Sequence, residues 1–345
     1  MPPPHSTSPD VKAQLEAQKQ QCVFCKLVKK EIPGKIVFED GKTIALLDIY
    51  PAVKGHTLFM PKEHYPLLPY LPPQEFTYLF GILPQLCKAV QSAMVAPSVN
   101  IFIANGGVAG QQSYHFLMHL LPRELGDGFF HFLFRDKSAT GNHDVQKLSN
   151  TLRTRMNTYF SQNKSTASWH TGSGETPTYL KEIKDKSTIL YEDEKVFCVV
   201  PNKGLASGQI ELYSKIEQRE LGKLSAEDSA HFFLVISFSA SAVFESLGAQ
   251  GTNIIVKSGM TDDHASGKLC AYILPRKQND GLDSLLWQPK QPSYDIDGVA
   301  GRIKDKTWKV KFSEKKEEIK SPVISGSPIS SHDEIKKALE KVKKG

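Results

Sequence analysis

The sequence predicts an α+β protein in which one unit is used twice, each copy an antiparallel sheet with helices. Three observations carry this. Short β-prone runs punctuated by glycine turns read as paired strands between Lys35 and Pro61. Apolar residues at 3–4 spacing in 74–94 read as an amphipathic helix. The third is a repeat: IVFEDGKTIALL returns as ILYEDEKVFCVV, with Glu39-Asp40 becoming Glu192-Asp193, an offset of 153 residues. The same offset carries Gly55 to Gly208, Leu71 to Leu224, Asn100-Ile101 to Asn253-Ile254, Gly106 to Gly259 and Leu121-Pro122-Arg123 to Leu274-Pro275-Arg276. One ungapped register over that span marks an internal duplication.

In chain order, residues 1–20 are an arm, disordered or helical, that is Pro/Ser-rich over 1–10 and in which Asp10 can cap a short polar helix running into Cys22. Residues 21–135 form the first domain: strands KIVFED, TIALLDI and HTLFMP, the 74–94 helix bent or shifted by Pro84, and a returning strand NIFIANG. Residues 136–185 begin with a helix that places Val145, Leu148, Leu152 and Met156 on one face, and continue as a Ser/Thr/Gly-rich linker. Residues 186–290 are the second domain. Residues 291–345 are a lysine-rich tail carrying +4 of the chain's formal +6. Within it, Ser331 and Glu334 make a capping-box pattern ahead of Ile335, Leu339 and Val342 on one helical face.

The chemistry concentrates in Gly110–Arg123, GQQSYHFLMHLLPR. It reads as a buried strand on which His115, Leu117 and His119 share one face while Tyr114, Phe116, Met118 and Leu120 face the core. Together with CVFCKLVKKEIPGKIVFEDGKTIALLDIYPAVKGHTLFMPKEHY upstream, it resembles the histidine triad family of nucleotide hydrolases and transferases. Gly110, Gln111, His115, His119, Pro122 and Arg123 match the family's motif. The centre departs from it, because Leu117 stands where the family carries its nucleophilic histidine. Gln112 and Ser113 also replace a small hydroxyl residue and an aliphatic one. The resemblance covers residues 21–130 and implies tandem histidine-triad-like domains. Their sheets would join edge to edge, forming an intramolecular pseudo-dimer within a monomer, as in the related galactose-1-phosphate uridylyltransferases.

Two site readings follow. Cys22-x-x-Cys25 suits one tetrahedral structural Zn2+ or, alternatively, a redox dithiol. The resemblance implies that His64 and His115 complete a zinc set. For nucleotide, it implies ribose held by Asp48 and phosphate held by the glycine-rich turn. Asp48 can accept both ribose hydroxyl protons, and N–H groups from Gly107 to Gln112, Gly110 and Gln111 included, can form an anion nest. Asn105, His56 and His119 can donate to phosphate oxygens. The bland alternatives are that Asp48 starts a turn and that Asn105-Gly106 makes one.

At the 153-residue offset the second copy loses this set: Pro201 stands in for Asp48, Gln209 for His56, Glu217 for His64, Lys268 for His115 and Tyr272 for His119. That copy therefore reads as degenerate. Cys270, at the nucleophile's place, reads as a buried strand cysteine. His143, His170, His231, His264 and His332 fit no ligand spacing and read as surface or helix residues.

Five cysteines in 345 residues argue against a disulfide framework and for a reducing cytoplasm. With no signal-peptide core and no apolar run of membrane-spanning length, no membrane partner is expected. The basic tail could meet nucleic acid or an acidic partner, or simply be solvated. Leucine has no lone pair, and His119 lies two strand residues, about 6.6 Å, from the nucleophile's position. The sequence thus points to a protein that binds a purine nucleotide or nucleotide conjugate without the covalent nucleotidyl-histidine step. Two readings compete with it: a divergent phosphohydrolase or nucleotidyltransferase with His119 or water as the catalytic group, and an interaction scaffold acting through the basic tail.

Overall fold

The computed structural model describes residues 16–134, 138–139, 142–162, 174–217, 219–264 and 266–312. Asp10, His170, His332, most of the linker and the 331–342 helix expected in the tail lie outside the described residues.

The first half contains α1 (Val23–Val28), β1 (Ile36–Glu39), β2 (Thr43–Leu47), β3 (Thr57–Pro61), α2 (Pro73–Met94), β4 (Ser98–Asn105) and β5 (Met118–Arg123). After the two-residue β6 (Ser138–Ala139) come α3 (Asn142–Gln162) and α4 (Thr178–Asp185). The second half contains β7 (Ser187–Glu192), β8 (Val196–Pro201), the two-residue β9 (Lys203–Gly204), β10 (Ile210–Ser214), α5 (Ala226–Leu247), β11 (Gly251–Lys257) and β12 (Cys270–Arg276). The last described helix is α6 (Ile296–Thr307).

Ten strands form one antiparallel sheet in the order β1-β2-β3-β5-β4-β11-β12-β10-β8-β7. The second half repeats the first half's order in reverse, and the two meet at β4 and β11. There Phe102 faces Ile255, its own equivalent at the 153-residue offset, so a local two-fold passes through that pair. Phe80 of α2 stacks on Phe233 of α5, also its offset equivalent, with ring centroids 4.4 Å apart. Both contacts are isologous, as two-fold packing demands.

One sheet face carries α2, α3, α5 and α6 over a continuous apolar core. Pro84 sits inside an unbroken α2. The other face is covered in three patches. Leu27 and its neighbours on α1 lie over β2 and β3, Leu180 of α4 lies over β8 and β10, and loops from both halves fill the middle.

Four expectations need correction. The histidine-bearing strand starts at Met118, so His115 and Leu117 precede it; Tyr114 is exposed, whereas Phe116, Met118 and Leu120 are buried as expected. The tail is folded as far as residue 312: Asp295 caps α6, Val299 and Ile303 bury its apolar side, and Thr307 Oγ1 donates to the Val37 carbonyl at 2.6 Å. Helix α5 is long and apolar enough to span a membrane by length and composition, yet it is a core helix packed through Phe232, Phe233, Val235 and Ile236. His264 is neither a surface nor a helix residue; it is buried in a loop, its Nε2 sharing a hydrogen bond with the Lys268 carbonyl at 2.6 Å.

Candidate functional site

Two polar clusters lie on the α1 face of the first half. The first joins Cys22, Cys25, His64 and His115, whose ligand atoms all lie within 4.8 Å of one another. Cys25 Sγ is 3.3 Å from His64 Nδ1 and 3.6 Å from His115 Nδ1, and Cys22 Sγ is 3.6 Å from His115 Nδ1. A tetrahedron with Zn–S near 2.3 Å and Zn–N near 2.0–2.1 Å has edges of about 3.3–3.8 Å, which these distances match. His115 Nε2 donates to the Pro61 carbonyl at 2.9 Å, leaving the Nδ1 lone pair toward the sulfurs. Burial, then the neighbouring Cys22 thiol, pushes the Cys25 thiol up to about 12, and a bound cation would reverse that balance. The residues present fit zinc.

The second cluster is Asp48, His56 and His119. β3 and β5 are paired so that Leu58 faces His119, which sets His119 beside the buried His56. His56 Nε2 and His119 Nδ1 are 2.9 Å apart, and the Ala52 N–H donates to His56 Nδ1 at 3.1 Å. Burial holds His56 down to about 3, and burial, then the adjacent His56, holds His119 down to about 3. Both rings are therefore neutral at pH 7, and only one proton arrangement satisfies them. His56 accepts at Nδ1, so it donates from Nε2 to His119 Nδ1; His119 keeps its own proton on Nε2. Its remaining polar group is a donor. Asp48 Oδ1 accepts from the Tyr50 N–H at 2.8 Å, while Oδ2 lies 3.6 Å from His56 Nδ1, which carries no proton to share.

The glycine-rich turn is braced from within. Gly106 and Gly110 adopt positive φ of 94° and 89°. The N–H groups of Ala109, Gly110 and Gln111 close on the carbonyls of Gly106 and Gly107. Gln111 accepts from the Gly106 N–H and donates to the Pro66 and Ser113 carbonyls. Any anion nest here must therefore use N–H groups of the turn other than those of Gly106, Ala109, Gly110 and Gln111. Asn105 is buried between the halves, accepting from the Leu68 N–H at 3.3 Å and donating to Thr252 Oγ1 at 3.2 Å, so it is no phosphate donor. The expected set thus divides: Asp48, His56 and His119 converge, whereas the side chains of Asn105 and Gln111 are structural.

Leu117 packs in the apolar cluster of Leu27, Ile44, Leu46, Leu58 and Met60. Three residues the sequence reading missed come from the end of the second half and the start of the tail. Trp287 meets His119 and His56 edge-on, with centroids at 5.3 and 5.4 Å, and Leu286 presses on Gly110. Tyr294 is partly buried beside Gly55, and burial raises its phenol. The repeat held a signal for the first of these, since Trp287 falls at the offset of Phe134.

The HIT domain matches residues 29–126. Among relatives, a HIT-like protein of Methanocaldococcus jannaschii is 41% identical over 108 residues, covering 31% of this chain and 82% of that protein. Adenylylsulfatase HINT3 of Arabidopsis thaliana is 33% identical over 141 residues, covering 39% of this chain and 72% of that protein. An ADP-glucose phosphorylase structure from Arabidopsis thaliana is 15% identical, with a TM-score of 0.51 over 82% of this chain and 90% of that one, so the shared fold spans both halves.

Proposed function

The chain belongs to the HIT domain family, and from that premise we propose that it binds a nucleoside phosphate or nucleotide conjugate without forming a covalent nucleotidyl-protein intermediate. The observation that carries this is the proton order of the histidine pair. The relay Ala52→His56→His119 leaves His119 with an N–H and no free lone pair, so it donates to a phosphate oxygen and cannot attack phosphorus. The middle position is Leu117, held in an apolar cluster. Asp48 Oδ2 remains for ribose hydroxyls, while the N–H groups of Gly107, Val108 and Gln112 would supply the backbone donors of the turn.

Zinc held by Cys22, Cys25, His64 and His115 would be structural, since four protein ligands leave no open position. It would tie α1 to the segment that leads into His119. We also read the chain as a monomer in which a degenerate second copy, arisen by duplication, serves as the first copy's dimer partner. All five cysteines are free, which accords with a reducing, cytoplasmic setting.

The test is calorimetric titration of the full chain with AMP, together with a search for an acid-labile nucleotidyl adduct. Binding without adduct is expected. Leu117→His should add hydrolysis of adenosine phosphoramidate, because it restores an imidazole between His115 and His119. An adduct on the unaltered protein would overturn the reading in favour of a divergent nucleotidyltransferase.

A further inference from the structure

We propose that the groove between the free edge of β1 and the C-terminal end of α6 is a docking site for an extended acidic segment of a partner protein. The segment adds to the sheet as a further strand beside β1. This inference needs neither zinc nor nucleotide and stands apart from the reading above.

β1 and β7 are the outermost strands of the sheet, and a helix caps one carbonyl on each. The Leu190 carbonyl of β7 accepts from Arg153 Nε of α3 at 3.1 Å. Val37 of β1 is the counterpart of Leu190 at the 153-residue offset, and its carbonyl accepts from Thr307 Oγ1 of α6 at 2.6 Å. A bare strand edge invites pairing with another chain, and these helices guard against it. The guard over β1 is the shorter one. Thr154 is the counterpart of Thr307, and α3 continues past it to Gln162, with Arg155 tied to Glu245 of α5. By contrast α6 ends at Thr307, and Trp308, the counterpart of Arg155, stands 70% exposed. Beyond Thr307 the edge of β1 is open. The Asp40 N–H donates inward to the Thr43 carbonyl at 3.1 Å, so the trans peptide turns the Glu39 carbonyl outward, and the Glu39 N–H shares its side.

The groove has a volume of about 640 Å³, with β1 and Asp40 on one wall and Lys304, Thr307, Trp308 and Lys311 on the other. A strand edge facing a helix end across a groove suits an extended peptide: main-chain bonds give affinity, and side-chain contacts give choice. The charges here select acid. Glu39 already pairs with Lys62 at 2.8 Å, and Asp40 accepts from the Thr43 N–H and the Tyr78 hydroxyl. Arg302, Lys304, Lys306, Lys309 and Lys311 are exposed and form no ion pair among the described residues. Lys309 Nζ lies 4.7 Å from the centre of the Trp308 ring, which otherwise stays open to an apolar side chain. A nucleic acid would meet the same lysines, but it has no peptide main chain to pair with Glu39.

Calorimetric titration of the full chain with acetylated Asp-Val-Asp-Val-Asp-Val, and with the peptide carrying Lys for each Asp, tests this. The acidic peptide should bind, more weakly as salt is added, and the basic one should not. Trp308→Ala, and separately Lys304→Gln with Lys311→Gln, should each weaken binding by at least about tenfold. Exposed Lys181 on α4 of the second half serves as the control, and Lys181→Gln should leave the affinity unchanged. Hydrogen exchange followed by NMR reads the backbone directly: the Glu39 amide should exchange freely in the chain alone and be protected by the acidic peptide. No binding of the acidic peptide, equal binding of the basic one, or full affinity in either variant would overturn the proposal. A Glu39 amide already protected in the chain alone would also overturn it, since the edge would then be filled by the chain itself or by a second copy. Tighter binding of oligothymidylate than of the peptide would assign the surface to nucleic acid instead. Should Trp308→Ala not fold, the lysine variant and the exchange measurement decide.

Discussion

The two halves share a backbone and differ in what its side chains do. In the first, the Ala52 N–H donates to His56 Nδ1; at the equivalent place in the second, the Leu205 N–H donates to Gln209 Oε1 at 2.8 Å. In the first, Asp40 gathers the Thr43 N–H and the Tyr78 hydroxyl; in the second, Asp193 gathers the Val196 N–H and His231 Nε2, both at the 153-residue offset. Arg123 pairs with Asp127, and Arg276 pairs with Asp280. Bonds that hold the chain's path persist with altered partners. The groups that could do chemistry, by contrast, are not kept: the offset puts Glu175, Thr178, Glu217 and Lys268 where the first half has Cys22, Cys25, His64 and His115, while the apolar cluster of Leu27, Ile44, Leu46 and Met60 returns as Leu180, Phe197, Val199 and Tyr213. An acceptor for a backbone N–H can be an imidazole or an amide, but a metal corner or a donor relay needs particular atoms.

Perturbing equivalent places should expose this difference. The largest effect is expected at the thiol corner. Cys25→Ser should lower bound zinc from about one per chain to near zero and unseat α1; apparent zinc affinities of about 10–16 kcal/mol in small zinc-folded peptides set the ceiling on the loss. Metal analysis and a thermal melt check it, and unchanged stability in metal-free protein would remove the zinc reading. In the second half, Leu180→Ala, at the counterpart of Leu27, should cost about 2–5 kcal/mol by cavity formation and leave the metal content alone.

At the two-fold, Phe233→Ala should cost about 3–5 kcal/mol and weaken both halves in one transition, since Phe80 and Phe233 stack on each other. Two separate denaturation steps would show that the halves fold independently.

The third contrast is in pH. Unfolded imidazoles take up protons near pH 6.5, whereas folded His56 and His119 resist protonation to about 3. Their folded pKa values are depressed, so stability is full above about pH 6.5 and falls as the pH drops toward 3. The loss is up to about 1.4 kcal/mol per unit for each ring. His56→Gln with His119→Tyr, copying the second half, should flatten that slope in urea melts run from pH 7 to 4. The smallest effect belongs to Gln209→Ala, which leaves the Leu205 N–H without its acceptor and should cost about 1–3 kcal/mol, read as a shift in denaturation midpoint.

Much was legible in the sequence because it is written locally or repeated. Period-two runs and glycine turns marked β1 to β4, and the single offset anticipated a second half with the same strand order. The Cys22-x-x-Cys25 spacing marked the thiol pair, and the family resemblance implied His64 and His115 beside it. Which donors remain free depended on three-dimensional closure. Asn105 and Gln111 look like phosphate donors in a string, but Thr252 approaches the first from the other half and Pro66 engages the second from a neighbouring loop. The direction of the His56–His119 relay likewise hangs on one backbone N–H at Ala52. Trp287 lies 168 positions beyond His119 in the chain, yet it touches that ring because antiparallel pairing of β4 with β11 brings the end of one half over the face of the other. Sequence patterns set which faces are apolar and where the chain turns. Only the folded two-fold arrangement decides which residues from distant segments meet, because such contacts follow from the packing of whole sheets and leave no local period to read.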